Sequence, residues 1–242
     1  MRVFIDLGAY NGDSIQAAFS WYRKKFDRIF AFEPRKESFK DLEKKFGGKD
    51  NVFLFNAAAD TTTGIGKLHI GMDTEALGSS LCSGKTNCFQ DKFQVVKVLD
   101  FSAFILDNFS KNDTIVLKID IEGKEYDLLD KMMQDGSIDY INEIYCEWHY
   151  DKIDMTEDRH RNFLRRLQDL GFKLTGKNEI DEFVNAVRFG HMRLTFEKLK
   201  FFYVFSIKTY LKDNFPRLFF RLRQIKSIIL SLNSKKSMDH TH

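Results

Sequence analysis

Proline is almost missing from this chain, with two in 242 residues, so a proline-rich linker or recognition segment is excluded. Cysteine is scarce as well. Cys82, Cys88 and Cys146 form no CxxC pair, which excludes a disulfide framework and the usual thiolate zinc spacings. An odd count of this kind reads as reduced thiols in a cytoplasmic setting. No apolar run approaches the roughly 18 residues of a membrane span. The first residues read as a core strand rather than as a secretory leader. Internal repeats and low-complexity stretches are lacking too. What remains is an ordinary globular composition, 43% hydrophobic and 30% charged, with length enough for one large domain or two small ones.

Charge is abundant but unevenly placed. From His191 onward the chain carries eleven Lys or Arg against three acids, a balance of +8 inside an overall +3, so the preceding part carries −5. An acidic body with a basic extension is the pattern to be explained.

The body is organised around its first stretch, Val3-Phe4-Ile5-Asp6-Leu7-Gly8-Ala9-Tyr10-Asn11-Gly12-Asp13. A β-prone apolar run ends near an acid, and two glycines frame a short turn before a helical pattern begins. Gly8 and Gly12 let backbone approach a ligand closely, and the helix opening at Gly12 to Asp13 aims free N–H groups at the same spot. This is the nucleotide-cofactor turn of a doubly wound α/β fold. The G-x-G-x-x-G spacing of dinucleotide sites is absent. A carboxylate such as Asp6 beside the turn better matches a cofactor with a cationic amino acid end, such as S-adenosylmethionine. A second apolar run, Arg28 to Phe32, ends at Glu33-Pro34, and an acid there accepts hydrogen bonds from a ribose diol. Either acid alone fits a surface turn or a helix cap equally well; two at adjacent strand ends are harder to explain that way.

The remaining pattern alternates strands and helices. Helices are expected over residues 13–25, 35–46 and 101–109, after Gly123, and through Phe163 to Leu170. Strands are expected at Val52 to Phe55, Thr114 to Ile119 and Ile141 to Trp148. An antiparallel pair, Phe172 to Thr175 and Phe183 to Val187, would close a seven-stranded, mostly parallel sheet with helices on both faces. After the third strand, Asn56-Ala57-Ala58-Ala59 leaves room for a flat ring with an amide at its edge, or simply packs tightly. Residues 61–99 break the rhythm, with strand patterns at Lys67 to Ile70 and Phe93 to Val98 around a loop containing Leu77-Gly78-Ser79-Ser80-Leu81. A long excursion of this kind inside a compact domain either roofs a cofactor or selects an acceptor.

With Asp6-Leu7-Gly8-Ala9-Tyr10-Asn11-Gly12-Asp13, Phe32-Glu33-Pro34, Leu77 to Leu81, Leu117-Lys118-Ile119-Asp120-Ile121-Glu122-Gly123-Lys124-Glu125 and Glu147-Trp148-His149 in hand, the chain resembles the FkbM-type methyltransferases over roughly residues 2–190. That resemblance implies a class I, Rossmann-like S-adenosylmethionine fold and O-methylation, commonly of sugar hydroxyls in glycans or natural products. By position it implies that Asp6, Gly8, Ala9, Asn11, Gly12 and Glu33 hold the cofactor, with Asp120 at the methyl end. Tyr10 occupies a place where the family often has a smaller polar residue. Tyr10, Asn56 and Ala57 complete the expected cofactor-binding set.

Methyl transfer to an alcohol needs an aligned oxygen and a way to remove its proton, either by a general base or by a metal that lowers the hydroxyl pKa. His149, at a strand end beside acids, is the preferred base, with Asp120 or Glu147 to orient its ring. The same three residues, Asp120, Glu147 and His149, suit one Mg²⁺ or Mn²⁺ instead. Glu122 and Glu125 either fit the first turn of a helix, where acids complement its dipole, or contact the substrate. The acceptor is expected to be a sugar or glycoconjugate; a small molecule, a lipid or a silent cofactor-binding scaffold are the alternatives.

Residues 191–233 read as a basic helical extension, with helices over 194–212 and 215–232 and a disordered end from 234 to 242. Leu218, Leu222, Ile225, Ile229 and Leu232 share one stripe that Arg217, Arg221 and Lys226 avoid. A helix of this kind packs on its own domain, pairs two copies, or lies in a membrane interface. No nucleic-acid-binding motif accompanies it.

Overall fold

The computed structural model describes residues 1–19 and 25–174, all within one unit of the chain, Met1–Phe189. The expected basic helices and the last sheet strand fall outside these residues. Five strands form the central sheet: β1 (Arg2–Leu7), β2 (Arg28–Phe32), β3 (Val52–Phe55), β7 (Thr114–Ile119) and β8 (Ile141–Cys146), in the order β3-β2-β1-β7-β8. Every neighbouring pair is parallel. The helices are α1 (Asp13–Phe19), α2 (Lys36–Phe46), α3 (Phe101–Asn108), α4 (Glu125–Asp135) and α5 (Glu157–Asp169).

Alternation along the strands divides the core. Val3, Ile5, Leu7, Phe30, Phe32, Ile115, Leu117 and Ile119 face one side and pack against Phe101, Ile105, Leu129 and Leu167 from α3, α4 and α5. Phe4, Ile29, Ala31 and Val116 face the other, against Ile15, Ala18, Leu42 and Phe46 from α1 and α2. With helices on both faces, the strands are apolar nearly throughout, as parallel strands must be. Each fully buried Phe, Ile or Leu contributes roughly 2 kcal/mol relative to exposure.

Among the described residues the central sheet has five strands, fewer than the expected seven. Phe172 to Leu174 carry no strand, and the remainder of that pair lies outside the described residues. The excursion instead builds a small second sheet from β4 (Ala58–Asp60), β5 (Gly64–Gly71) and β6 (Cys88–Asp100), in the order β4-β6-β5. β5 and β6 pair antiparallel and β4 runs parallel to β6. Ala58 to Asp60, part of the small-residue stretch expected to leave room for a flat ring or to pack tightly, is a strand. Cys82, Cys88 and Cys146 form no disulfide.

Register sets the site. Leu7 lies opposite Phe32 and Ile119, and Ile119 lies opposite Cys146. One residue further along each strand brings Gly8, Glu33, Asp120 and Glu147 to a single rim. This is the carboxyl edge, where open α/β sheets bind ligands.

Candidate functional site

A cavity of about 480 Å³ opens at this rim, within the size range of small-molecule sites. Gly8, Tyr10, Glu33, Pro34 and Ala57 to Ala59 line one side, and Asp120, Glu122 and Glu147 line another. The loop between β5 and β6 contributes Asp73, Leu77, Gly78 and Ser79, so the excursion does border the cavity.

The turn after β1 is held from beneath. Asp6 and Lys118 are direct cross-strand neighbours, and the Lys118 ammonium sits 3.1 Å from the Asp6 carboxylate. The Ser14 hydroxyl donates to Asp6 from α1. Lys118 also donates to the Gly8 carbonyl at 2.6 Å and reaches Asp120 at 3.4 Å. Burial disfavours the Lys118 charge, but Asp6 and Asp120 outweigh it and hold the ammonium well above its usual range. Asp6 has no exposed surface and does not border the cavity. Expected to hold the cofactor, Asp6 instead lies behind the cavity wall, where it keeps Lys118 and α1 in place. An acid inside a strand points into a face, whereas one just past a strand end reaches the rim.

Glu33 does border the cavity. Its carboxylate accepts the Tyr10 N–H at 2.8 Å and the Arg35 N–H at 2.9 Å. Burial pushes its pKa up to about 6, against the pull of those two N–H groups. Gly8 has φ +80°, and a Cβ there would lie 1.9 Å from the Asp120 carbonyl oxygen. Glycine is obligatory at that point because the end of β7 presses on the turn. A Cβ on Gly12 would strike Phe46 and Leu42, so Gly12 serves the packing of α2. Ala9 is buried and, like Gly12, does not border the cavity. Asn11 lies outside it as well, its carbonyl and side-chain oxygens taken by Lys45 and the Asp13 N–H. The Asn56 amide donates to the Glu33 and Pro34 carbonyls; it shapes the turn and does not line the cavity. Of the expected cofactor set, Gly8, Tyr10, Glu33, Ala57 and Asp120 face the cavity.

At the other end, His149 is 1% exposed and lies just behind the carboxylates. Its Nδ1 sits 2.9 Å from Glu125 Oε1. Glu125 is fully buried and accepts the Gly123 N–H at 3.0 Å on both oxygens, so Nδ1 is the protonated nitrogen of that pair. The orienting acid is Glu125, not Asp120 or Glu147. Nε2 then faces Glu122 at 3.2 Å, Glu147 at 3.8 Å and Asp120 at 3.9 Å. Burial lowers the His149 pKa, but the bond to Glu125 and the charges of Glu122 and Asp120 reverse this and leave it above the usual imidazole value. Glu147 is raised, by burial first and by the Asp120 charge second.

Glu122 and Glu125 were expected to complement a helix dipole or to contact substrate, and Lys118 and Lys85 had no expected role. Glu122 sits at φ +59°, rare for a side chain of its kind. Its carboxylate binds the buried Lys85 ammonium, which also donates to the Gly78 carbonyl at 2.9 Å. The clearest available signal was Lys118, a lysine between Leu117 and Ile119 in a buried strand, which demands carboxylate partners.

A profile of the Methyltransferase FkbM domain matches residues 6–174, well over half the chain. The chain belongs to the FkbM methyltransferase family. Curated proteins offer no match. A crystal structure described as methyltransferase FkbM from Methylobacillus flagellatus KT aligns over 57% of this chain and 31% of its own, with 17% identity and a TM-score of 0.36. The aligned part thus spans less than a third of that protein. The FkbM match begins at Asp6 and ends at Leu174, and it contains every cavity-lining residue from Gly8 to Lys152. Among the described residues, no helix of this FkbM domain is long and apolar enough to cross a membrane.

Proposed function

We propose that this methyltransferase uses S-adenosylmethionine to methylate a hydroxyl of a sugar or glycoconjugate. The observation that supports this most is the single rim: Gly8, Glu33, Asp120 and Glu147, from four adjacent strands, around one cavity. The residues suit the cofactor. Ala57, Ala58 and Ala59 present no bulk where a flat base would lie, and the Glu33 carboxylate has lone pairs left for a ribose diol after accepting two N–H groups. Asp120 borders the side of the cavity nearest Glu147.

When bound, S-adenosylmethionine supplies an electrophilic methyl group whose transfer forms a C–O bond, returns the S–C pair to sulfur and frees one hydroxyl proton. The chain must align the oxygen and take that proton. His149 is covered by its neighbours, so the group facing the acceptor is Glu147. Its carboxylate borders the cavity and takes the proton directly, with Asp120 beside it to position the hydroxyl. A saccharide acceptor fits a wall carrying three carboxylates, which accept several hydroxyl hydrogen bonds at once.

Titration calorimetry with S-adenosylhomocysteine should show binding to the wild type and at least a tenfold loss in Glu33→Ala. Glu147→Gln should bind normally while transferring labelled methyl groups to crude glycan precursors at least a hundredfold more slowly. Wild-type protein that gives no heat would end the cofactor assignment, and normal turnover by Glu147→Gln would end that of the base.

A further inference from the structure

His149 Nε2 is buried yet makes no hydrogen bond. Nδ1 is paired with Glu125, and carboxylate oxygens of Glu122, Glu147 and Asp120 lie 3.2, 3.8 and 3.9 Å from Nε2. Several anionic oxygens crowded around one buried nitrogen repel one another unless a positive charge lies among them. We infer that Asp120, Glu122 and His149 Nε2 form a binding site for one divalent cation on the cavity wall.

Three lines of geometry support this. The ligand atoms all lie within 4.8 Å of one another, and Nε2 is 3.2 Å from Glu122 and 3.9 Å from Asp120. Ligands spaced about 3 to 4.5 Å apart are what an octahedral ion with bonds near 2.1 Å requires. Glu125 behind the ring reproduces the carboxylate–histidine–metal arrangement that fixes a ligand's tautomer and raises its basicity. The charge is also unbalanced. Asp120, Glu122, Glu125 and Glu147 surround the ring; of the ammonium groups near them, Lys85 shares Glu122 Oε2 with Nε2, Lys118 is also paired with Asp6, and Lys152 acts on Glu147 from the cavity wall. An oxygen-rich set with one imidazole suits Mg²⁺ or Mn²⁺. The trio differs from the one expected from sequence, since Glu122 takes the place of Glu147, which stays within reach at 3.8 Å.

Binding of the ion stands independently of the methyltransferase reading; its role rests on that reading. A cation here lowers the pKa of a coordinated acceptor hydroxyl, so that Glu147 receives its proton more readily.

The test is a titration of the full chain with MnCl₂, followed by electron paramagnetic resonance, with pulsed detection of ¹⁴N coupling. One saturable Mn²⁺ per chain with coupling from a single imidazole is expected. Asp120→Asn should weaken binding at least tenfold. Glu125→Gln should weaken it about 10- to 100-fold and reduce the nitrogen coupling, while S-adenosylhomocysteine binding, the control for folding, changes less than threefold. Absence of saturable Mn²⁺ in protein that binds S-adenosylhomocysteine, or Mn²⁺ bound without nitrogen coupling, would refute the site. Coupled Mn²⁺ in protein that ignores S-adenosylhomocysteine would keep the cation site and remove the cofactor reading.

Discussion

Two acids that look alike in sequence end in different roles, and register decides which. Asp6 is inside β1, across from Lys118; Glu33 is one residue past β2 and reaches the cavity. Because burial raises the Glu33 carboxyl to about 6 from 4.5, its protonated form favours the fold at low pH, and that contribution is lost as pH rises through about 6. Ligand binding runs the other way, since only the ionised carboxylate accepts both hydrogens of a diol. Affinity for S-adenosylhomocysteine should therefore rise about tenfold between pH 5 and pH 7 and stay flat in Glu33→Gln. A wild type with no pH dependence over that range would detach Glu33 from the ligand. The strand-end acids were legible because strand length and apolar run coincide. The burial of Asp6 was not, because it depends on a cross-strand partner more than a hundred residues away.

At the scale of elements, the alternation of apolar runs and helical periods located β1, β2, β3, β7 and β8 and the helices between them. It also marked the β5–β6 excursion as an irregularity. What it missed is tertiary in origin. β4 is short and alanine-rich, with weak strand propensity, and exists because β6 offers a parallel partner. The loop's anchorage was equally hidden: Lys85, the Ser80 hydroxyl on the Glu122 carbonyl at 2.6 Å, and Asp73 accepting the Leu77 and Gly78 N–H groups. Lys85 ties this loop to the turn after β7, with its ammonium buried between Gly78 and Glu122. Lys85→Met removes the charge and leaves Glu122 facing His149 and its neighbours without that partner. Stability should fall by on the order of 3 kcal/mol in urea unfolding, and amide exchange across residues 76–82 should accelerate. Exchange as slow as in the wild type would mean that Ser80 and Asp73 hold the loop unaided.

Along the whole sequence, an acidic body is followed by a basic extension. The FkbM match ends at Leu174, and the cavity-lining residues among the described ones run from Gly8 to Lys152, all ahead of the +8 extension that begins at His191. Charge of that sign on an apolar-striped sequence favours contact with an anionic surface, and the −5 body of a second copy is one such surface. A chain ending at Phe189 should bind S-adenosylhomocysteine with affinity within about threefold of the full chain, by the tenfold-per-1.4 kcal/mol scale of binding energies. In analytical ultracentrifugation the full chain should self-associate at low salt and the shortened one should not, because screening at high ionic strength removes a charge-driven contact. Loss of S-adenosylhomocysteine binding on truncation would instead place part of the recognition surface beyond residue 189. Self-association that survives truncation would move the contact onto the FkbM domain itself.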